Sequence, residues 1–491
     1  MPSAPSGPSS CQSPPLSKWF GFFPDFQKDV LGFLTDCRRY GDVVKLPVGL
    51  VGGFLLRRAD PAIYVLYHPD DVKHVLVGNQ HNYVKGPVPP VERRIFGRGL
   101  LHLEGATHHA HRRLLLPFFH GAHIHAYADP IVARAARMVE GWAEGQMVDI
   151  GQVMSRLTLS IIWPLLFGRE LEAEAERVAA SIEVGHRLIN KQYHSIFAQL
   201  TPLWVPTRLH RRFARFHAAL DGLIRQRIRE RRTDRREYQD VLSLLSRATD
   251  EQGHQLTEDA IRDELVTLML AGHETTANAL TWTWILLARS PEIRDKLDQE
   301  LEQVLQGRAP SLADLPRLVY TKMVWDESLR LYPPAWSLHT RLGSAEDLLP
   351  SGVRLPAGAY VLISPWTIHR DPRWFPDPEG FDPERFSPQK APSRPAFSYL
   401  PFGGGGRRCL GESFAELEGV LVLATLASRK HLESADRSPI LPDALMTLRP
   451  KRPVLMTVAP VTRRTTAPGE EPCEPAASTG DSTVPAARRP G

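Results

Sequence analysis

Apolar residues recur at helical spacing along most of the chain. Short β-branched or apolar runs interrupt that pattern at Val43 to Leu46, Ile63 to Leu66, Tyr360 to Ile363 and Val454 to Val458. Two of these runs are early and two late, so any sheet must join distant parts of the chain. That predicts one interleaved domain over residues 16–460 rather than separable units. Residues 1–15 are rich in Pro and Ser, and residues 461–491 mix Pro, Ala, Thr and Gly with scattered charges. Neither segment can bury enough apolar surface to order itself, so both are expected to be disordered tails. The longest helical pattern starts near Thr257, whose hydroxyl and the following Glu258 and Asp259 suit a capped, acidic start. It runs through Leu265, Leu268 and Met269 to Leu287 and stops before Ser290-Pro291. At about 30 residues it is too long for an ordinary surface helix. Its middle, Ala271-Gly272-His273-Glu274-Thr275-Thr276, is polar and contains glycine. A core helix does not carry such a segment without a reason.

Composition narrows the function. Hydrophobic residues make up 42% of 491, which excludes a wholly disordered chain. Lys plus Arg is 60 against 55 for Asp plus Glu, a net charge of +5, which argues against a whole-protein nucleic-acid binder. Eleven arginines do crowd residues 208–236. They are read as a solvated helix face and following loop, partly offset by Glu230, Asp234 and Glu237, with an acidic partner or nucleic acid as the alternative. Apolar runs such as 49–56 fall far short of the ~20 residues of a membrane span. The first 17 residues carry no charge, so no secretory signal is read there. A cytoplasmic location is expected. Of the four cysteines, Cys11, Cys37, Cys409 and Cys473, none forms a C-x-x-C pair, which removes zinc-ribbon and thioredoxin-like chemistry.

Cys409 needs a chemical explanation. It stands in Phe402-Gly403-Gly404-Gly405-Gly406-Arg407-Arg408-Cys409-Leu410-Gly411. Four glycines let the backbone approach something flat and close. Two arginines and a following helix N-terminus are expected to favour thiolate over thiol. A thiolate held this way is a good axial ligand for haem iron. The run resembles the cysteine loop of the cytochrome P-450 superfamily, Phe-x-x-Gly-x-Arg-x-Cys-x-Gly, at Phe402, Gly405, Arg407, Cys409 and Gly411.

The resemblance implies a mostly α fold with a small β region (α+β), one haem-enclosing domain, and haem b with Cys409 as its iron ligand. Phe402 and Gly411 would pack about the cofactor and Arg407 would meet a propionate. Glu327-x-x-Arg330, which can pair across one helix face, and Arg385 in Asp382-Pro383-Glu384-Arg385-Phe386 look like the family's buried charge network. Ala271-Gly272-x-Glu274-Thr275-Thr276 matches its oxygen-binding segment, with Ala271 against the cofactor. Gly272 removes a side chain where a ligand could sit, and Thr275 can bond back to a carbonyl. Thr275 is assigned to stabilising the reduced-oxygen intermediate and Glu274 to the proton path. His108 and Arg112, i,i+4 neighbours, resemble the propionate-binding pair, and Arg341 stands where another propionate contact is expected. His109 and His111 are expected at the surface.

The implied reaction inserts one atom of O2 into a C–H or C=C bond and releases the other as water. Electrons would come from NAD(P)H through a separate ferredoxin or flavodoxin-type donor with its reductase. Arg112, Arg113 and Arg408 would make the docking face positive. The pocket should draw on residues 87–101, 184–205, the long helix and 335–338. Ile95, Leu268, Trp336 and Leu338 would line it, which suits a terpenoid, fatty acid, steroid or polyketide. A monomer is expected. A haem-thiolate peroxygenase or isomerase, needing no external electrons, is the alternative; a non-catalytic nucleic-acid binder is a remoter one.

Overall fold

The computed structural model describes residues 11–17, 20–49, 62–168, 207–234, 238–249, 253–436 and 438–461, with single positions 185, 205 and 236. Residues 1–10 and 462–491 of the expected tails, most of 49–56 and 184–205, and Arg235 and Glu237 lie outside the described residues. Among those described, helices dominate and four small sheets flank them.

Three of the four β-rich runs meet in one five-stranded sheet. Ala62–Leu66 pairs antiparallel with Val43–Pro47 and parallel with Tyr360–Ile363, so Ile63 stands opposite Tyr360. Arg341–Gly343 and Tyr83–Lys85 complete it, placing Lys85 opposite Arg341. The sheet thereby sets two cations side by side. The fourth run, Leu455–Pro460, joins a separate sheet between Met147–Asp149 and Lys430–Ser434. Early and late strands pair as the sequence requires. The body begins earlier than expected: Lys45 N–H donates to the Gln12 carbonyl at 2.9 Å, and Gln12 bridges to Val44.

The long helix is Glu258–Arg289, 32 residues, and the Thr257 hydroxyl accepts from Ala260 N–H at 3.1 Å. It crosses the main core and packs against Ile150–Phe167. The latter helix is capped by Asp149 and stopped by Gly168 in the left-handed region, φ 63°. It is long and apolar enough to cross a membrane by length and composition, but 61% of it is buried inside the protein. Its apolar character fits a core position.

The arginine-rich segment forms Arg208–Thr233, and its second half is not simply solvated. Arg225 pairs with Asp221, Glu258 and Asp259, and Arg231 pairs with Asp240 at 2.6 Å. Asp221, one turn before Arg225, and acidic residues outside the segment, Asp240, Glu258 and Asp259, neutralise these arginines. Spacing within the segment could not show the last three.

Candidate active site

The cysteine loop takes its shape from close approaches that exclude side chains. Gly403 and Gly405 lie at φ 70° and 66°. A Cβ on Gly405 would run into the Leu76 carbonyl oxygen, and one on Gly404 would strike the Phe397 ring. Gln80 Oε1 accepts from Gly406 N–H at 2.9 Å, and the Cys409 N–H donates to the Phe402 carbonyl at 2.9 Å. Helix Glu412–Ala427 follows directly.

The loop forms one wall of a cavity of about 380 Å³, or about 1640 Å³ counted out to its mouth. The long helix lines the same cavity with Leu268, Ala271, Gly272, Thr275 and Thr276. Leu100, Leu101, Phe119, Ile162, Ala335 and Leu338 add apolar sides. Cys409 is exposed, yet its exposure is to this cavity, because protein surrounds the thiol. Burial pushes that thiol up to about 11, against the pull of the Gly411 N–H, Arg112 and Arg408. The expected stabilisation of thiolate by the protein alone is therefore not found. Arg408 is drawn into an ion pair with Glu412, and burial outweighs what remains.

Cationic groups gather at one rim. Lys85, His108, Arg112, Arg341 and Arg407 all line the cavity. Burial, then Arg407 and Arg341, lowers Lys85 to about 7. Burial, then Arg407, holds His108 down near 3 and lowers Arg341 to about 10. Burial also lowers Arg112 and Arg407. Glu104 meets Arg407 at 2.7 Å, but the buried Arg407 Nη1 has no hydrogen-bond partner among the described residues. Lys85, Arg112, Arg341 and Arg407, with a neutral His108 among them, form a site for an anion.

On the long helix, the Thr275 hydroxyl donates to the Ala271 carbonyl at 2.7 Å, as the sequence suggested. Gly272 lines the cavity too, although a Cβ there would press on Ile162 Cδ1 at 3.2 Å. Glu274 is not in the cavity wall. Its Oε1 accepts from the Thr447 hydroxyl at 2.8 Å, on a side of the helix turned from Thr275. Leu268 and Leu338 line the cavity, but Ile95 and Trp336 do not. Ile95 is fully buried in the main core and its carbonyl accepts from Arg262. The Trp336 indole needs an acceptor for its N–H and finds the Leu445 carbonyl at 2.7 Å. His109 is exposed, whereas His111 is drawn inward to Glu264 at 2.7 Å.

Behind the loop, Arg330 and Glu327 are wholly buried and paired through two contacts at 2.6 and 2.8 Å. Arg385 approaches Glu327 at 3.3 Å. Arg330 also donates to the carbonyls of His369, Pro378 and Gly380. Sequence reasoning missed the residue that ties this network to the loop. His369 Nε2 accepts from Leu400 N–H at 2.9 Å, so the ring proton sits on Nδ1, 3.2 Å from the Arg330 carbonyl. Burial holds His369 near 3 and so keeps it neutral. Lys85 and Glu418 were also missed. Glu418 is fully buried without a hydrogen-bond partner among the described residues, and burial raises it well above the usual carboxylate range. No local motif marks Lys85; its place emerges from the strand register.

Residues 54–458 match the family model described as Cytochrome P450. Cyclooctatin synthase of Streptomyces melanosporofaciens is 37% identical over 85% of this chain and 89% of its own length. Cyclooctat-9-en-7-ol 5-monooxygenase of the same organism is 32% identical over 87% and 93%. Pentalenene oxygenase of Streptomyces avermitilis is 31% identical over 86% and 91%. The chain belongs to the cytochrome P450 family and is a monooxygenase that uses haem b and O2, with electrons from NAD(P)H delivered through a redox partner.

Proposed function

We propose that this monooxygenase oxygenates a terpenoid-like hydrocarbon held between Cys409 and the long helix. One observation carries the reading: the same cavity is lined by the Cys409 thiol, by Lys85, Arg112, Arg341 and Arg407, and by Thr275 of the long helix. That donor set fits haem b, whose iron takes the thiolate and whose two carboxylates meet the cations. Cys409 would hold the iron. His108, Arg112, Arg341, Arg407 and Lys85 would hold the propionates, with Arg407 Nη1 lacking a hydrogen-bond partner among the described residues. Ala271, Phe402 and Gly411 would form walls against the ring. Cys409 would hold the iron as a thiolate, so loading the cofactor would require loss of the thiol proton that burial otherwise favours.

Bound haem supplies reductive activation of O2, so that one atom enters the substrate and the other leaves as water. The chain's part is to position and to deliver protons. The Thr275 hydroxyl is held by Ala271 at the cavity wall, where it can pass a proton across the cavity. Glu274 is engaged by Thr447 outside the cavity wall, so the proton path is assigned to Thr275. The apolar sides formed by Leu100, Leu268 and Leu338 exclude water and accept a hydrocarbon. The similarity to cyclooctatin synthase and pentalenene oxygenase supports that substrate class. A ferredoxin or flavodoxin-type donor would approach the loop side, where Arg113 is exposed and Arg408 is held by Glu412.

Replacing Thr275 by Ala is expected to lower product formed per NAD(P)H by ~10-fold or more while NAD(P)H use continues. Unchanged coupling, measured as product against NAD(P)H consumed, would remove Thr275 from the proton path. Arg112→Ala is expected to release haem to an apomyoglobin acceptor about 10- to 100-fold faster, the loss of one charge-assisted contact of about 1.5–3 kcal/mol. An unaltered transfer rate contradicts the propionate role. The reading itself is tested by titrating the holoenzyme with a cyclic terpene panel and following the iron spin state. Saturable shifts with terpenes and none with fatty acids support it; the reverse overturns the substrate class.

A further inference from the structure

We infer that Glu264, a buried carboxylate outside the cavity, is a positioning residue that sets the apolar wall against which a ligand packs. Glu264 is wholly buried on the long helix. Its Oε2 accepts from Leu100 N–H at 3.0 Å and its Oε1 meets His111 Nδ1 at 2.7 Å. Leu100 and Leu101 line the cavity, and His111 lies on helix Gly105–Leu115, which also carries His108 and Arg112. One side chain therefore ties the ligand-side turn to two helices that face the cavity.

Its neighbours act on the same turn. Asp263 Oδ2 accepts from Arg98 N–H at 2.7 Å, and Arg262 Nη1 donates to the Ile95 carbonyl at 2.7 Å. The turn lies flat on the helix because it lacks side chains on its inner face. A Cβ on Gly97, at φ 54°, would strike the Asp263 carboxylate, and one on Gly99 the Thr267 hydroxyl. Three consecutive helix residues thus grip positions 95, 98 and 100. A carboxylate buried without solvent keeps its place only while its partners stay bonded. The grip on the Leu100 backbone fixes how far the two leucine side chains reach into the cavity. Glu264 touches no reacting atom and acts through Leu100.

The inference rests on the haem-site reading above, and its test separates the two. Imidazole and 4-phenylimidazole are titrated into holoenzyme, with azole coordination read from the Soret shift. The phenyl group reaches the side walls and bare imidazole does not. In Glu264→Ala the preference for 4-phenylimidazole over imidazole is expected to fall about tenfold, with imidazole affinity unchanged. Glu264→Gln keeps an acceptor for Leu100 but loses the charge facing His111, so a fall of about threefold is expected; this variant decides if the alanine chain fails to fold. An unchanged preference in the folded variants, or equal losses for both azoles, overturns the positioning role. A wild-type holoenzyme that shifts with neither azole overturns the haem-site reading instead.

Discussion

Arg330→Ala is expected to destabilise the protein by about 3–5 kcal/mol and to leave most of the expressed chain without haem. Glu327 is wholly buried, and removing its partner at 2.6 Å leaves Arg385, at 3.3 Å, as the nearest paired cation. The same change deletes donors to three backbone carbonyls, at His369, Pro378 and Gly380. Each of these carbonyls is then left seeking a partner, which adds to the cost. The effect reaches the cysteine loop through His369, whose ring accepts the Leu400 N–H two residues before Phe402. A change at Arg330 should therefore disturb the loop although none of its side-chain hydrogen bonds reaches a residue lining the cavity. Urea unfolding together with the haem-to-protein absorbance ratio checks this. Arg330→Lys keeps the charge but not the forked geometry and is expected to fall between. Wild-type stability with full haem content in Arg330→Ala would show that the network does not hold the loop.

Cys409→Ser is expected to lower oxygenation by more than about 10³-fold, or about 4 kcal/mol of barrier, while much of the haem is retained. The separation follows from the layout. The rim of Lys85, His108, Arg112, Arg341 and Arg407 is untouched by the change, and so are the apolar walls. Those groups account for retention, whereas electron donation by the sulfur accounts for the chemistry. Cys11 and Cys37 cannot substitute. Cys11 lies against the strand carrying Val43, and Cys37 is buried in a core cluster beside Leu34 and Val44. Product formed per enzyme, with haem content measured on the same sample, tests this. Loss of both in step would mean that the thiol does no more than anchor the cofactor.

The site was legible in the sequence wherever its chemistry is local. The cysteine loop, the Glu327-x-x-Arg330 pair and the Ala271 to Thr276 segment each fix geometry within a few residues, and the cavity joins the first and the last. What local spacing could not reach was set by tertiary contact. Lys85 meets Arg341 because two distant strands pair, and nothing in Tyr83–Lys85 announces it. Trp336 is apolar and well placed along the chain, but its N–H directs the ring to Leu445 and away from the cavity. His111 is three residues from His108 and turns to a buried carboxylate on another helix. The arginines beside Cys409 illustrate the same limit, since charge proximity in sequence neglected both the Glu412 pair and the cost of burial.

The reduced, carbon-monoxide-bound absorption spectrum tests most directly whether Cys409 ligates the iron as a thiolate. The wild-type holoenzyme is expected to show the red-shifted Soret band of a thiolate-bound haem, and Cys409→Ser to lose it while keeping haem. A Soret band at the position of a nitrogen- or oxygen-ligated haem in the wild type, or a thiolate band that survives replacement of Cys409, would contradict that assignment.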